Sequence, residues 1–251
     1  MKITIDGQKY EAQYGEYILD VARRNNIFIP TLCHLEALPG QGNCRLCIVE
    51  VLEGKRRRVV VSCSYPVKGE IEVLTNSERI RKMRKNIVRL LAAAAPDSDF
   101  MKELQKEYGL QGEERFQVTR GEDCILCGWC VRACEELGIY AISTVNRGIT
   151  KKVSTPFTEP SEVCIGCGAC AYVCPTGSIK VKEEGGKREI WGKTFALLPC
   201  PSCGKYFITR EELEYVQAKT GLAPEKILCE KCRQEQAGRK MGDVFKDIAM
   251  K

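Results

Sequence analysis

The sequence predicts an α+β chain whose short elements are arranged around cysteine sites, on three observations. Sixteen cysteines stand against a single histidine in 251 residues. They divide without remainder into four groups of four: Cys33, Cys44, Cys47, Cys63; Cys124, Cys127, Cys130, Cys134; Cys164, Cys167, Cys170, Cys174; and Cys200, Cys203, Cys229, Cys232. Around the groups, short alternating stretches that read as strands are interspersed with a few helical patterns.

Composition narrows the chemistry. A hydrophobic fraction of 44% and a charged fraction of 29% are ordinary for a soluble globular protein. The net charge of +6 is mild, and no basic block carries interleaved aromatics, so nucleic acid is not an expected partner. Met1 to Gly7 lacks the apolar stretch of a secretory signal, and the longest apolar run, Leu90 to Ala95, is too short to span a bilayer. A cytoplasmic protein with no direct membrane insertion is expected, and there clustered thiols bind metal or do redox chemistry more often than they form disulfides. Four thiolates are what a tetrahedral metal or an iron–sulfur cluster requires. Any Cys–His or Ser–His nucleophile pair would have to use His34, the only histidine, whose expected role is that of a loop residue beside Cys33.

The first group, Cys33-x10-Cys44-x2-Cys47-x15-Cys63, lies in β-rich surroundings. Lys2–Ile5 and Lys9–Ala12 flank an Asp6-Gly7 turn and read as a hairpin. Glu16–Asn25 is helical by its Ile18, Leu19, Ala22 spacing, Ile48–Leu52 and Val59–Ser62 form a second hairpin about Gly54, and Glu70–Leu74 is a closing strand. Short strands around one helix with a cysteine loop suggest a β-grasp ferredoxin domain holding a [2Fe–2S] cluster, although the first spacing is ten residues and not the four of plant-type ferredoxins.

The second and third groups both follow C-x2-C-x2-C-x3-C, and Pro175 closes the third. This resembles the bacterial two-cluster ferredoxin run, in which the fourth cysteine of each run serves the other cluster. The resemblance implies one [4Fe–4S] site of Cys124, Cys127, Cys130 and Cys174, and another of Cys164, Cys167, Cys170 and Cys134. Gly128, Gly166, Gly168 and Ala169 would let backbone N–H groups approach sulfur. Ile142 and Ile179 suggest a repeated strand after each run. Cys134 is followed by Glu135 where a proline is usual, and the linker to Cys164 is long. Zinc knuckles fit these runs poorly, because zinc sites favour paired C-x2-C hooks.

Thr31-Leu-Cys-His-Leu, Gly42-Asn-Cys-Arg-Leu-Cys-Ile-Val-Glu, the two runs, and the helical stretch from Ser77 to Leu91 carry a wider resemblance. Residues 1–180 are similar to the electron-transfer end of the large iron–sulfur subunit of respiratory complex I. The N-terminal region of iron-only hydrogenases and the diaphorase small subunit of NAD-linked hydrogenases are similar too. The family often carries a further cubane on three cysteines and a histidine. Here Ala92 to Phe100 offers no such ligand, and that cluster is not expected. The resemblance implies an electron-transfer subunit of an NAD(P)-linked oxidoreductase with no catalytic site of its own. Its implied partners are a flavoprotein NADH-binding subunit, a small thioredoxin-like [2Fe–2S] subunit and a terminal catalytic subunit. A hydrogenase is favoured for the last, with bifurcation to soluble ferredoxin as one form. A formate dehydrogenase, an NADH-dependent ferredoxin:NADP reductase, or a free polyferredoxin carrier are the alternatives.

Leu198-Pro-Cys200-Pro-Ser-Cys203-Gly and Cys229-Glu-Lys-Cys232 are two C-x2-C hooks of zinc-ribbon type, with a helix expected between them at Arg210–Thr220. Structural zinc is the first reading, ahead of a further iron–sulfur cluster and rubredoxin-type iron, since four tetrahedral thiolates suit all three. The tail Arg233–Lys251 reads as an amphipathic partner-binding helix or a frayed end. The expected organisation is a β-grasp domain over 1–76, a helical connector over 77–118, a two-cluster ferredoxin domain over 119–184 and a zinc-ribbon-like module over 185–251. No Gly-x-Gly-x-x-Gly or Walker A loop is present, so neither nucleotide binding nor catalysis is expected of this chain.

Overall fold

In a computed structural model, residues 1–36, 38, 41–110, 116 and 121–249 are described. The expected boundary at 118/119 and the last two residues of the tail lie outside them. The chain divides into two units. The first comprises Met1–Glu136, Thr144–Val153 and Cys170–Ile179, and the second Leu137–Ser143, Ser154–Ala169 and Lys180–Lys251. The cysteine runs of the expected ferredoxin stretch are thus shared between both units.

The first unit begins with the hairpin β1 (Lys2–Ile5) and β2 (Gln8–Glu11). Asp6 and Gly7 both take positive φ, +47° and +85°, as a tight turn matched to strand twist demands. Helix α1 (Ile18–Arg24) buries Ile18, Leu19, Val21 and Ala22. It starts later than the apolar spacing suggests, because Tyr17 is extended and bridges Pro66. Strands β3 (Ile48–Glu53) and β4 (Arg56–Val61) pair about Gly54, and β5 (Glu72–Leu74) completes the sheet in the order β2-β1-β5-β3-β4. β1 and β5 are parallel and the other pairs antiparallel. Ile3, Ile5, Val49, Val51 and Val73 from this sheet pack on α1 in one apolar core.

Ser77 caps helix α2 (Glu78–Ala94), its Oγ accepting from the Ile80 N–H, and Pro96 enforces the stop. Helix α3 (Asp99–Glu107) follows. Arg84 points inward from α2, only 4% exposed, and donates to the carbonyls of Leu46 (3.1 Å), Ile48 (2.7 Å) and Thr75 (2.9 Å). A buried arginine is tolerable only when its donors are satisfied, and here they hold the cysteine loop, β3 and the end of β5 to one helix.

Helix α4 (Trp129–Glu136) begins just before Cys130, the last of the first three closely spaced cysteines, and β6 (Ser143–Val145) pairs with β7 (Lys152–Ser154). After the short helix α5 (Ala169–Tyr172), β8 (Lys182–Glu184) joins β9 (Lys187–Ile190), β10 (Lys193–Pro199) and β11 (Tyr206–Thr209) in an antiparallel sheet of order β11-β10-β9-β8. A strand thus follows each run, but in different sheets. The four-stranded sheet is absent from the sequence reading, because the charged run Lys187-Arg-Glu masks its alternation. Arg188 is in fact one of the inward residues, with Ile190, Phe195 and Leu197. Helix α6 (Arg210–Thr220) has the expected bounds, with Thr209 as N-cap and Gly221 in the left-handed region as C-cap, and α7 (Glu230–Ala249) makes the tail helical. Among the described residues no helix is long and apolar enough to cross a membrane.

Arg84→Met should lower the unfolding free energy of the chain by about 3 kcal/mol, since three buried carbonyls lose a charged donor. Urea unfolding followed by circular dichroism measures this. A loss below about 1 kcal/mol would show that the carbonyls find other partners.

Candidate metal centres

The four cysteines of the first group are all buried, at 1–5% exposure, on the loop before β3 and just after β4. Their sulfurs form two close pairs. A hydrogen bond from the Cys44 thiol holds Cys33 down to about 5, helped by the N–H groups of Cys44 and Asn43, and Cys44 is pushed up in turn. The Cys63 thiol likewise holds Cys47 down to about 6 and is itself pushed up. The charge on Cys33 is also felt at Cys47 and Cys63, so the two pairs face one another. Backbone N–H groups reach the same sulfurs, Cys44 N to Cys33 Sγ at 3.5 Å and Leu46 N to Cys44 Sγ at 3.4 Å. His34 turns its Nδ1 to the Arg23 guanidinium at 3.1 Å, and burial with that charge lowers its pKa, as suits a neutral loop residue.

Cys124 and Cys127 lie on the loop into α4, Cys130 is the second residue of that helix, and Cys134 sits one helical turn beyond Cys130. Burial pushes Cys127 up to about 11 and Cys130 to about 12; both also feel the charges of Cys124 and Cys174, and Cys130 that of Cys170. Cys170 and Cys174, distant in sequence, are therefore both near the first triad in space. Cys134 and Cys170 belong to the first unit, Cys164 and Cys167 to the second.

The first two cysteine loops are packed directly on each other. Leu32, Cys33, Cys44 and Leu46 share a buried cluster with Ile125 and Cys127, closed by Val88 and Ala92 of α2. At Gly128, where φ is +78°, a Cβ would stand 2.8 Å from Gln41 Oε1 and 3.3 Å from Asn43 Nδ2, both on the first loop. Arg132, on α4 between two cysteines and 2% exposed, donates from Nη2 to the Cys33 carbonyl at 2.6 Å and from Nε to the Gly128 carbonyl at 3.4 Å. Its charge contributes to the lowered pKa of Cys33. Sequence reasoning missed this residue, and its position between Cys130 and Cys134 was the only available signal.

In the second unit, the sulfurs of Cys200, Cys203, Cys229 and Cys232 all lie within 4.8 Å of one another. Cys200 follows β10 directly and enters a tight knuckle, its N–H donating to the Lys205 carbonyl (2.8 Å) and the Gly204 N–H donating to the Cys200 carbonyl (2.9 Å). The Cys229 N–H donates to Cys200 Sγ at 3.4 Å and holds that thiol down to about 6. Cys203 is exposed and the other three are buried.

Residues 1–78 match the family described as 2Fe-2S iron-sulfur cluster binding domain, and residues 118–181 the 4Fe-4S dicluster domain. The chain thus carries a 2Fe-2S and a 4Fe-4S dicluster domain. It is 34% identical over 231 residues to an NADH-quinone oxidoreductase subunit of Rhizobium meliloti, covering 81% of this chain and 27% of that one. To NADPH-Fe(3+) oxidoreductase subunit alpha of Geobacter sulfurreducens it is 33% identical, covering 81% and 26%. To NADP-reducing hydrogenase subunit HndD of Solidesulfovibrio fructosivorans it is 34% identical, covering 73% and 36%. The chain thus spans about a quarter to a third of the length of these relatives. A chain in the crystal structure of an NAD+-reducing [NiFe]-hydrogenase shares the fold, with a TM-score of 0.59 at 24% identity over 70% of this chain and 85% of that one.

Gly128→Ala should destabilise the protein by about 1–2 kcal/mol, from a left-handed non-glycine residue pressed on Gln41. Thermal unfolding tests it, and an unchanged melting temperature would show that the two loops are not in firm contact.

Proposed function

We propose that the chain relays single electrons between an NAD(P)-linked flavoprotein and a terminal redox subunit. The packing of the Cys33–Cys47 loop on the Cys124–Cys130 loop, with Arg132 bonded to both, carries this reading. The donor sets fit the groups implied. Two sulfur pairs, Cys33 with Cys44 and Cys47 with Cys63, suit two irons of one [2Fe–2S] cluster. Cys124, Cys127, Cys130 and Cys174 would hold one [4Fe–4S] cluster, and Cys134, Cys164, Cys167 and Cys170 the other. When bound, these groups take up and release one electron at a time.

The protein's own residues do the rest. Leu32, Leu46 and Ile125 exclude water between the first two loops, so little solvent has to reorganise there. Arg132 carries a buried positive charge against both loops, which favours the more negative, reduced state of each site. The backbone N–H groups of Cys44 and Leu46 act in the same direction at sulfur.

We assign Cys200, Cys203, Cys229 and Cys232 to a structural zinc in a zinc-ribbon-like module over 185–251. The 4.8 Å sulfur tetrad favours a single ion over a cubane, whose ligand sulfurs stand wider apart. The family matches favour the proposed domains at 1–76 and 119–184, joined by the helical connector over 77–118. The shared chemistry of the relatives' names is NAD(P)-linked electron transfer, and the HndD relative supports a hydrogenase as terminal subunit. The flavoprotein, the thioredoxin-like [2Fe–2S] subunit, soluble ferredoxin and a cytoplasmic location belong to the same proposal.

Anaerobically reconstituted protein should contain about ten irons and about one zinc per chain. Near fourteen irons with no zinc would make the C-terminal tetrad a third cubane. Cys174→Ser should damage the site of Cys124, Cys127 and Cys130, read as the loss of one [4Fe–4S] EPR signal while the [2Fe–2S] signal persists. Damage confined to the site of Cys164, Cys167 and Cys170 would overturn the crossed ligand sets.

A further inference from the structure

The match to the dicluster family ends at residue 181, yet the sheet that follows is built against the cysteine loop of the second unit. Lys193, the first residue of β10, donates from Nζ to the carbonyls of Ser161 (3.3 Å), Glu162 (3.0 Å) and Cys164 (2.9 Å). The Thr209 hydroxyl, at the end of β11, donates to the Ile165 carbonyl at 2.5 Å. Arg188 on β9 donates from Nη1 to the Gly166 carbonyl at 2.8 Å. The Phe195 ring, 1% exposed, lies flat on Gly166, where a Cβ would stand 2.7 Å from it. Five of the six carbonyls from Ser161 to Gly166 are therefore taken by side chains of one sheet. A trans peptide directs its C=O and the next N–H to opposite sides, so these bonds turn the N–H groups of Ile165, Gly166 and Cys167 away from the sheet.

The two cations differ in what surrounds them. Arg188 also pairs with Glu183 (2.7 Å) and lies 3.6 Å from Glu212, so its charge is largely offset. Lys193 has no carboxylate within ion-pair distance among the described residues, and its ammonium stands 4.9 Å from the Phe195 ring centre. Three carbonyls and a ring hold the charge in place without cancelling it. A fixed cation on the backbone of a ligand loop favours the reduced, more negative form of whatever the loop binds.

We propose that the C-terminal sheet holds and tunes the Cys164–Cys167 loop, with Lys193 as the positioning residue that raises the reduction potential of the centre bound there. This rests on the reading of that loop as part of a [4Fe–4S] site. The zinc-ribbon-like hooks then have a purpose beyond their own fold, since β10 and β11 run into and out of the Cys200–Cys203 knuckle.

The test compares Lys193→Met and Lys193→Arg with the parent full-length protein by EPR-monitored redox titration and iron analysis. Lys193→Met should make one [4Fe–4S] centre harder to reduce, by about tenfold in the one-electron equilibrium constant or about 59 mV. The other two centres should not move, and Lys193→Arg should restore most of the shift. Loss of about four irons from the Met variant, repaired in the Arg variant, also supports the positioning role. Unchanged potentials with full iron, or an equal shift of all centres, would overturn it. Failure of the parent protein to bind two cubanes would instead refute the site reading on which the proposal rests.

Discussion

Thiolates repel one another, and this chain has to gather them in fours. Two unit charges about 4 Å apart cost about 4 kcal/mol at an effective dielectric of about 20. In the first group a shared proton eases this: hydrogen bonds to Cys33 and Cys47, with burial and the neighbouring charge behind them, push Cys44 and Cys63 up and keep them protonated. Most other features near the cysteines answer this constraint. Backbone N–H groups point at sulfur, glycines let chains approach, and cations bonded to backbone carbonyls stand behind the loops. Arg132 serves the first two loops in this way, and Lys193 the loop of the second unit.

The sequence places no cysteine between Cys63 and Cys124, so on the proposed reading electrons need a route between the two regions. Helices α2 and α3 fill the sequence gap but do not separate the ends in space. They close a buried cluster in which Leu32 and Cys33 touch the surroundings of Ile125 and Cys127. Arg132 bonds across 99 residues to the Cys33 carbonyl, so the α4 loop and the first cysteine loop are one packed body. The helical connector is a clamp that brings the loops together.

Local pattern made much of this legible. The Asp6-Gly7 turn, the hairpin about Gly54 and the α6 span each depend on neighbours a few residues away; the turn and α6 formed where the spacing put them, while β4 begins at Arg56, three residues before the expected Val59. The gathering of Cys200, Cys203, Cys229 and Cys232 was legible because each C-x2-C hook is itself local. The residues that escaped act over long range. Arg132, Arg188 and Lys193 read as ordinary surface cations in sequence, since nothing adjacent to them reveals a carbonyl about 20–100 residues away. The sheet from β8 to β11 escaped for a related reason, because its inward Arg188 breaks the apolar alternation that marks a strand.

The central claim is direct contact between the first two redox sites, with nothing interposed. Pulsed EPR on the reduced full-length protein measures it as the enhancement of [2Fe–2S] spin relaxation when the neighbouring [4Fe–4S] site of Cys124, Cys127 and Cys130 is reduced. The packing predicts a strong enhancement, abolished in a variant that has lost that cubane and retained in one that has lost only the other. Relaxation of the [2Fe–2S] signal that is indifferent to reduction of that site would contradict the account.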